Sequence, residues 1–331
     1  MPSFVKSDNP SLDSFVRFTR EMGRAGMKLE AVKLLNQALK LNIDRQAVQR
    51  ALDELTTQSS KFTKYIDDKN YFACAVNCRL SQLSAAQSGA CLHPLFISMP
   101  HSGSTYISKK VAESINSSWL PVHAGYELRE SLLDWTKLNK SIRENGVSIC
   151  HIPSSRINNI VLRQHVSRCI VHIRDPRQSI LSWIHKIEIK LNNKEYDWFE
   201  RIIPALPERY LTMSLEDKLW CHLENEFTQR VEMVQGWMNY QDSEESPVRI
   251  FFTTHQELKE FPELLFSIIL HYFNLSATGV NLEINRRDNR KYNFRKGSSN
   301  EWMDIYSEEQ KEYADKRLPE NIKIRFGWTN N

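Results

Sequence analysis

Apolar residues recur at three- and four-residue spacing over the first part of the chain. Leu29, Val32, Leu34, Leu35, Ala38, Leu39 and Leu41 form one such set, and Val48, Ala51, Leu52 and Leu55 continue it. This period predicts helices from about residue 11 to residue 55. Asn42-Ile43-Asp44 interrupts the stripe, with Asp44 placed to cap the second helix of a pair. After a polar, mixed stretch, Ser-Ala-Ala-Gln-Ser-Gly at 84–89 marks a linker. Beyond it the pattern changes to short, solidly apolar runs. These predict strands at 95–99, 146–151, 168–173 and 248–252, with helical material between them. Alternating strands and helices imply an α/β fold, a mostly parallel P-loop-like sheet flanked by helices. In such sheets ligands bind beyond the carboxyl ends of the strands.

The division that follows is a helical extension with its linker over 1–90 and a main domain over 91–331. The helix pair at 23–55 is similar to that of a tetratricopeptide repeat. One pair cannot build the stack that such repeats need, so it is expected to pack against the main domain as an accessory.

Composition narrows the classes. The 331 residues are 41% hydrophobic and 25% charged, an ordinary globular balance. A formal net charge of +4 suits an anionic ligand, and no long basic block points to nucleic acid. The densest apolar run, 264–270, is broken by Ser267 and too short to span a bilayer. The start MPSFVKSDNPSLDSF has no apolar stretch of signal-peptide length. The default is a cytoplasmic protein with no membrane partner. Six cysteines, at 74, 78, 91, 150, 169 and 221, include no CxxC or histidine-completed zinc pattern, so buried reduced thiols and no metal are expected.

Three segments carry candidate chemistry. After the first predicted strand comes Pro100-His101-Ser102-Gly103-Ser104-Thr105-Tyr106. Gly103 permits close approach of backbone to an anion, the next helix offers free N–H groups, and the serines and threonine add hydroxyl donors. The loop lacks the GxxxxGK[ST] pattern of a nucleoside-triphosphate site. The second segment places Arg174 just past a strand, with Ser182 eight residues on in the following helix, a fork and a hydroxyl suited to a phosphate. The third is Arg295-Lys296-Gly297, two cations and a glycine, followed by Trp302.

In that order the three segments resemble the nucleotide-binding signatures of the sulfotransferases that use 3′-phosphoadenosine-5′-phosphosulfate (PAPS), over roughly residues 95–318. The resemblance implies that Ser102, Gly103, Ser104 and Thr105 hold the 5′-phosphosulfate, with Tyr106 stacking on the adenine. It gives Arg174, Ser182, Arg295, Lys296 and Gly297 to the 3′-phosphate, and His255 in HQELKEFP a second adenine contact. Cys150-His151-Ile152-Pro153 resembles the family's THLP, which makes His151 the base that deprotonates a small-molecule acceptor. An imidazole is suited to that task. The product is the desulfated nucleotide PAP.

Four departures from the family pattern stand out. His101 replaces the lysine or arginine at the bridging oxygen, so either protonated His101 or Lys109 or Lys110 is expected to serve there. Tyr106 replaces tryptophan, Asn300 replaces the second glycine of RKGxxGxW, and the KxxxTVxxxE dimer motif is absent. Acceptor loops are expected near 122–138 and 184–215, where Trp198, Phe199 and Tyr210 lie among Glu188, Asp197 and Glu200. Aromatics beside carboxylates suggest a cationic, alkaloid-like acceptor. The alternatives are a P-loop-type kinase, disfavoured by the missing lysine, and a nucleotide sensor or scaffold with a degraded site.

Overall fold

A computed structural model describes residues 12–40, 45–57, 93–125, 128–194, 206–207, 209–243, 246–276 and 300–329. The chain begins with α1 (Leu12–Arg24), α2 (Lys28–Lys40) and α3 (Arg45–Thr57). The main domain opens with β1 (Leu95–Ser98), α4 (Ser104–Ser114) and β2 (Trp119–Pro121), then the small pair β3 (His123–Ala124) and β4 (Leu132–Leu133). Next come α5 (Trp135–Arg143), β5 (Val147–Cys150), α6 (Arg156–His165), β6 (Arg168–Ile173) and α7 (Pro176–Asn192). After α8 (Leu215–His222) a π-helical turn, Leu223–Phe227, leads into α9 (Thr228–Asp242). The chain then forms β7 (Arg249–Thr254), α10 (His255–Glu260), α11 (Pro262–Tyr272), α12 (Trp302–Ile305), α13 (Glu308–Arg317) and α14 (Glu320–Phe326).

Five strands form one sheet in the order β2-β5-β1-β6-β7, and every pairing in it is parallel. The four runs expected from sequence all fall in this sheet. β2 was not expected, since Trp119-Leu120-Pro121 is only three residues and half exposed. The apolar run 264–270 lies within α11, and among the described residues no helix is long and apolar enough to cross a membrane.

Side chains alternate across the strands, so each strand feeds two cores. Leu95, Ile97, Cys150, Val171 and Phe252 join one cluster with residues of α6–α9 and α12–α14. Phe96, Ile149, Ile170 and Phe251 join the other, with α4, α10, α11 and the N-terminal helices. Burial on both faces explains the unbroken apolar runs.

The N-terminal helices are part of that second core. Phe18 is fully buried, with its ring centroid 5.9 Å from that of Phe251 and 5.1 Å from that of Phe261. Arg325 of α14 pairs with Glu21 at 2.9 Å, both side chains buried. Arg17 donates to Gln256 of α10 at 3.1 Å. Asp44, the linker at 84–89 and Cys74, Cys78 and Cys91 lie outside the described residues.

The connections decide where a ligand can sit. From β1 the chain runs out to β2, returns through β5 beside β1, and then crosses to β6 on the other side. That reversal puts the switch point at β1, where an open parallel sheet leaves a crevice beyond its carboxyl edge.

Candidate active site

Residues directly after β1, β5, β6 and β7 meet at that edge. The register pairs Ile97 with Cys150, Ser98 with His172 and Ile173 with Thr254. The loop after β1, His151, Arg174 and His255 are therefore neighbours, although they are spread over more than 150 residues of sequence.

The loop from Pro100 to Gly103 is held by its carbonyls. Ser179 Oγ donates to the Pro100 carbonyl at 2.7 Å, and Arg174 Nη1 donates to that of His101 at 3.1 Å. His172 Nε2 donates to the Ser102 carbonyl at 3.0 Å, while its Nδ1 accepts from the Thr253 hydroxyl at 2.8 Å. Three successive carbonyls thus bond to side chains of β6, of Arg174 just past it, and of α7. In a trans peptide the N–H points opposite to its C=O, so the amides of residues 101–103 are turned the other way. His101 and Gly103 reach this shape with φ of 63° and 90°. Alternation of such conformations aligns successive N–H groups into an anion-binding nest.

The first turn of α4 adds the Ser104 and Thr105 amides, which have no intrahelical acceptor. The buried Ser102 hydroxyl donates to the Met99 carbonyl at 2.8 Å, so its oxygen stabilises the loop from within. Thr105 is exposed, and Tyr106 meets Phe266 of α11 edge-on at 6.3 Å.

Across the crevice, His151 donates from Nδ1 to the Ser98 carbonyl at 2.8 Å. A carbonyl can only accept, so the proton is on Nδ1 and the Nε2 lone pair is left as a base. Burial lowers the His151 pKa to about 4, with His123 and Lys186 adding repulsion that the Ser98 bond does not offset. The ring is neutral at physiological pH. His123, on β3, packs edge-on against it at 5.3 Å.

His101 lies in the same loop, beside α7. Its ring stacks on Trp183 at 4.7 Å and 23°. Burial first, then the charges of Lys186, Arg230 and Arg174, push its pKa well below the ordinary histidine value. In the free protein it is a neutral ring among cations. Lys109 and Lys110 do not substitute for it: Lys109 lies over the Trp119 ring at 4.7 Å, and Lys110 pairs with Glu113 at 3.1 Å. Trp119 opens β2 at the amino edge of the sheet, so Lys109 faces away from the crevice.

On the other flank, His255 is the first residue of α10, fixed by a capping box between Thr254 and Glu257. It is 8% exposed, and its Nδ1 has no protein partner. A Cβ built on Gly103 would lie 3.3 Å from His255 Cδ2. An orphaned buried nitrogen beside a glycine loop fits a ligand that supplies the missing hydrogen bond.

Asp175 does not pair with Arg174. It caps α7 and binds Arg177 at 2.7 Å, and Arg177 in turn lies under the Trp302 ring at 3.8 Å. Trp302, the end of the third segment, is thereby anchored beside the second. Arg295, Lys296 and Gly297 lie outside the described residues, while Ser182 is half-buried on α7.

No protein-family model matches the sequence, and no curated protein matches it. Among solved structures the chain is similar to mouse sulfotransferase SULT7A1 complexed with PAP. That match has 15% identity and a TM-score of 0.48 over 68% of this chain and 81% of that chain. It is also similar to retinol dehydratase in a complex with retinol and PAP, at 14% identity and a TM-score of 0.44, over 73% and 83%. At such identity each side chain of the site is judged by its own contacts.

Sequence reasoning missed the supports. His172, Ser179 and Arg230 hold the loop, yet as isolated residues they carry no motif. Arg230 Nε donates to Ser179 Oγ at 3.1 Å, and its Nη1 pairs with Glu226 at 2.7 Å. Glu226, in the π-helical turn, also accepts from His222 at 2.6 Å and from Trp183 Nε1 at 3.2 Å. Burial alone would raise its pKa, but Arg230 and His222 outweigh that and hold it at about 2.

The aromatic and acidic set expected for a cationic acceptor is partly internal. Tyr210 is buried and bonded to His222, with Lys218 5.5 Å above its ring. Glu188 pairs with Lys218 and His185. Trp198, Phe199, Asp197 and Glu200 lie outside the described residues. Among the described residues no cluster of histidine, cysteine and carboxylates is placed to hold a metal ion.

Proposed function

We propose that the protein is a sulfotransferase that passes the sulfuryl group of PAPS to a hydroxyl or amine of a small molecule, leaving PAP. The observation that carries this reading is a loop with three carbonyls tied back, facing a neutral His151 across the end of β1. An anion cradle and a base on opposite sides of one crevice suit transfer between an anionic donor and a protic acceptor.

In this reading the amides of residues 101–105, with Ser102, Gly103, Ser104 and Thr105, hold the 5′-phosphosulfate. Arg174 and Ser182 hold the 3′-phosphate together with Arg295, Lys296 and Gly297, and Tyr106 and His255 flank the adenine. PAPS supplies an activated sulfuryl group on a phosphate leaving group. His151 Nε2 takes the acceptor proton, and Nδ1–H keeps its bond to Ser98 so that the ring holds its orientation as it becomes cationic. No covalent enzyme intermediate and no metal enter the scheme.

The cationic Lys186 has a field that reaches His151, so a neutral or anionic acceptor is favoured over a cationic one. Cys150 and Cys169 are buried free thiols, which accords with a reducing compartment, and the cytoplasm is the proposed location.

Calorimetry with PAP and with ATP, followed by a metabolite screen for PAPS-dependent mass gain, tests the proposal. PAP is expected to bind more tightly than ATP, and His151→Ala to abolish turnover with PAP affinity nearly intact. Preference for ATP would favour a kinase. PAP binding with no turnover on any acceptor would favour a sensor.

A further inference from the structure

His101 takes a φ of 63°, a left-handed value that a residue with a Cβ keeps only where its surroundings hold it. Two routes of contact hold it, and both begin at Glu226.

The first route runs to the ring. Trp183 Nε1 donates to Glu226 Oε1 at 3.2 Å, and the Trp183 ring stacks on that of His101 at 4.7 Å and 23°. The second runs to the backbone. Arg230 Nη1 donates to Glu226 Oε2 at 2.7 Å, and Arg230 Nε donates to Ser179 Oγ at 3.1 Å. Ser179 Oγ in turn donates to the Pro100 carbonyl at 2.7 Å. That carbonyl belongs to the peptide whose N–H is the amide of His101, and the two point in opposite directions. The two oxygens of one carboxylate therefore fix both the His101 ring and the plane of its amide.

Glu226 is itself placed by the fold. It lies in the π-helical turn Leu223–Phe227, and Leu223 and Phe227 are buried in the first core. Single turns of this kind inside a longer helix recur at functional sites. His222 and Arg230 stand four residues before and after Glu226 and meet its carboxylate from either side. His222 Nδ1 donates to Glu226 Oε1 at 2.6 Å, and its Nε2 lies 2.8 Å from the hydroxyl of Tyr210, both residues buried. A carboxylate can only accept, and here it takes donors from α7, α8 and α9 at once. Bonds to a charged acceptor are the stronger kind, so the junction is stiff.

We infer that Glu226 is a positioning residue of the donor site, which holds His101 and its amide in the shape that binds a 5′-phosphate. It acts through Arg230 and Ser179 on one route and through Trp183 on the other. The inference rests on the sulfotransferase reading above, in which this loop takes the 5′-phosphosulfate. Glu226→Gln keeps the length of the side chain but replaces one oxygen by NH2. Whichever way the amide turns, a donor then faces a donor, and one route is lost.

The test is calorimetric titration of wild type and Glu226→Gln with PAP and with adenosine 3′-phosphate, which lacks only the 5′-phosphate. PAP affinity is expected to fall roughly tenfold, about the worth of one hydrogen bond to phosphate. Affinity for adenosine 3′-phosphate is expected to stay within about threefold, since that nucleotide does not use the loop amides. A purely structural role would weaken both nucleotides alike. Ser179→Ala and Trp183→Phe cut the two routes at their far ends, the second keeping a ring on His101 and deleting only the N–H. Glu226→Gln combined with Ser179→Ala is expected to cost less than the product of the two single losses, because both break the same route. If wild type binds PAP and Glu226→Gln binds it equally, or loses both nucleotides in equal proportion, the inference falls and the functional reading stands. Should Glu226→Gln fail to fold, the two far-end variants decide. A loss confined to PAP in either supports the inference, and unchanged PAP affinity in both overturns it. If wild type binds no PAP, both the inference and the functional reading fall.

Discussion

Gly103→Ala probes the cradle at its tightest point. Gly103 has φ of 90° and ψ of 7°, a conformation that costs an L-residue about 1–2 kcal/mol. The added Cβ would also lie 3.3 Å from both His255 Cδ2 and Leu258 Cδ2. Both neighbours belong to α10, a short helix held by its capping box, so they can yield only a few tenths of an ångström. The backbone share alone predicts a stability loss of about 1–2 kcal/mol, read from the shift in denaturant midpoint at constant slope. PAP affinity should fall further, because the amides of residues 101–103 bind an anion only in this loop shape. A loop forced to relax by about 1.4 kcal/mol in the bound state loses about tenfold in Kd. Calorimetric titration of PAP against the folded variant measures that loss separately from stability. Gly103→Ala with His255→Ala should recover only the part of the steric share that His255 imposes, leaving the Leu258 contact and the backbone share. A Gly103→Ala protein as stable as wild type, with unchanged PAP affinity, would refute the cradle.

Arg174→Ala should weaken PAP by roughly 10- to 100-fold, the loss of a charge-assisted contact of about 1.5–3 kcal/mol. The loss should be much smaller for the nucleotide without a 3′-phosphate, and equal losses would move Arg174 away from that group. Folding should weaken in acid: burial lowers His93, His151 and His172 each to about 4, below the 6.5 of an unfolded histidine. Because the unfolded chain takes protons first, stability is full above pH 6.5 and lost as pH falls toward 4, with up to three protons or about 4 kcal/mol per pH unit. Denaturant melts from pH 7 to 4 measure the slope, and a flat profile would remove these imidazoles as buried neutral groups. Phe18→Ala should cost about 3–5 kcal/mol, as for a buried phenylalanine between Phe251 and Phe261. PAP affinity of the folded variant should stay within about twofold, and a large loss of binding at unchanged stability would tie α1 to the site itself.

The four long strands, the helical start and the chemical character of three segments were all legible in the sequence. Each depends on local pattern: strands buried on both faces read as unbroken apolar runs, and a glycine among hydroxyls reads as an anion loop wherever it falls. β2 escaped because three half-exposed residues ending in proline carry no period. Tertiary structure alone decided what surrounds His101. Burial there lowers its pKa most, and Lys186, Arg230 and Arg174, on α7, on α9 and just past β6, lower it further. The same holds for the loop's shape, which rests on Ser179, Arg174 and His172 bonding to three successive carbonyls. Hydrophobic period is a property of neighbours along the chain. Electrostatic state and loop geometry are properties of neighbours in space, and the crossover of strands around β1 is what brings those together.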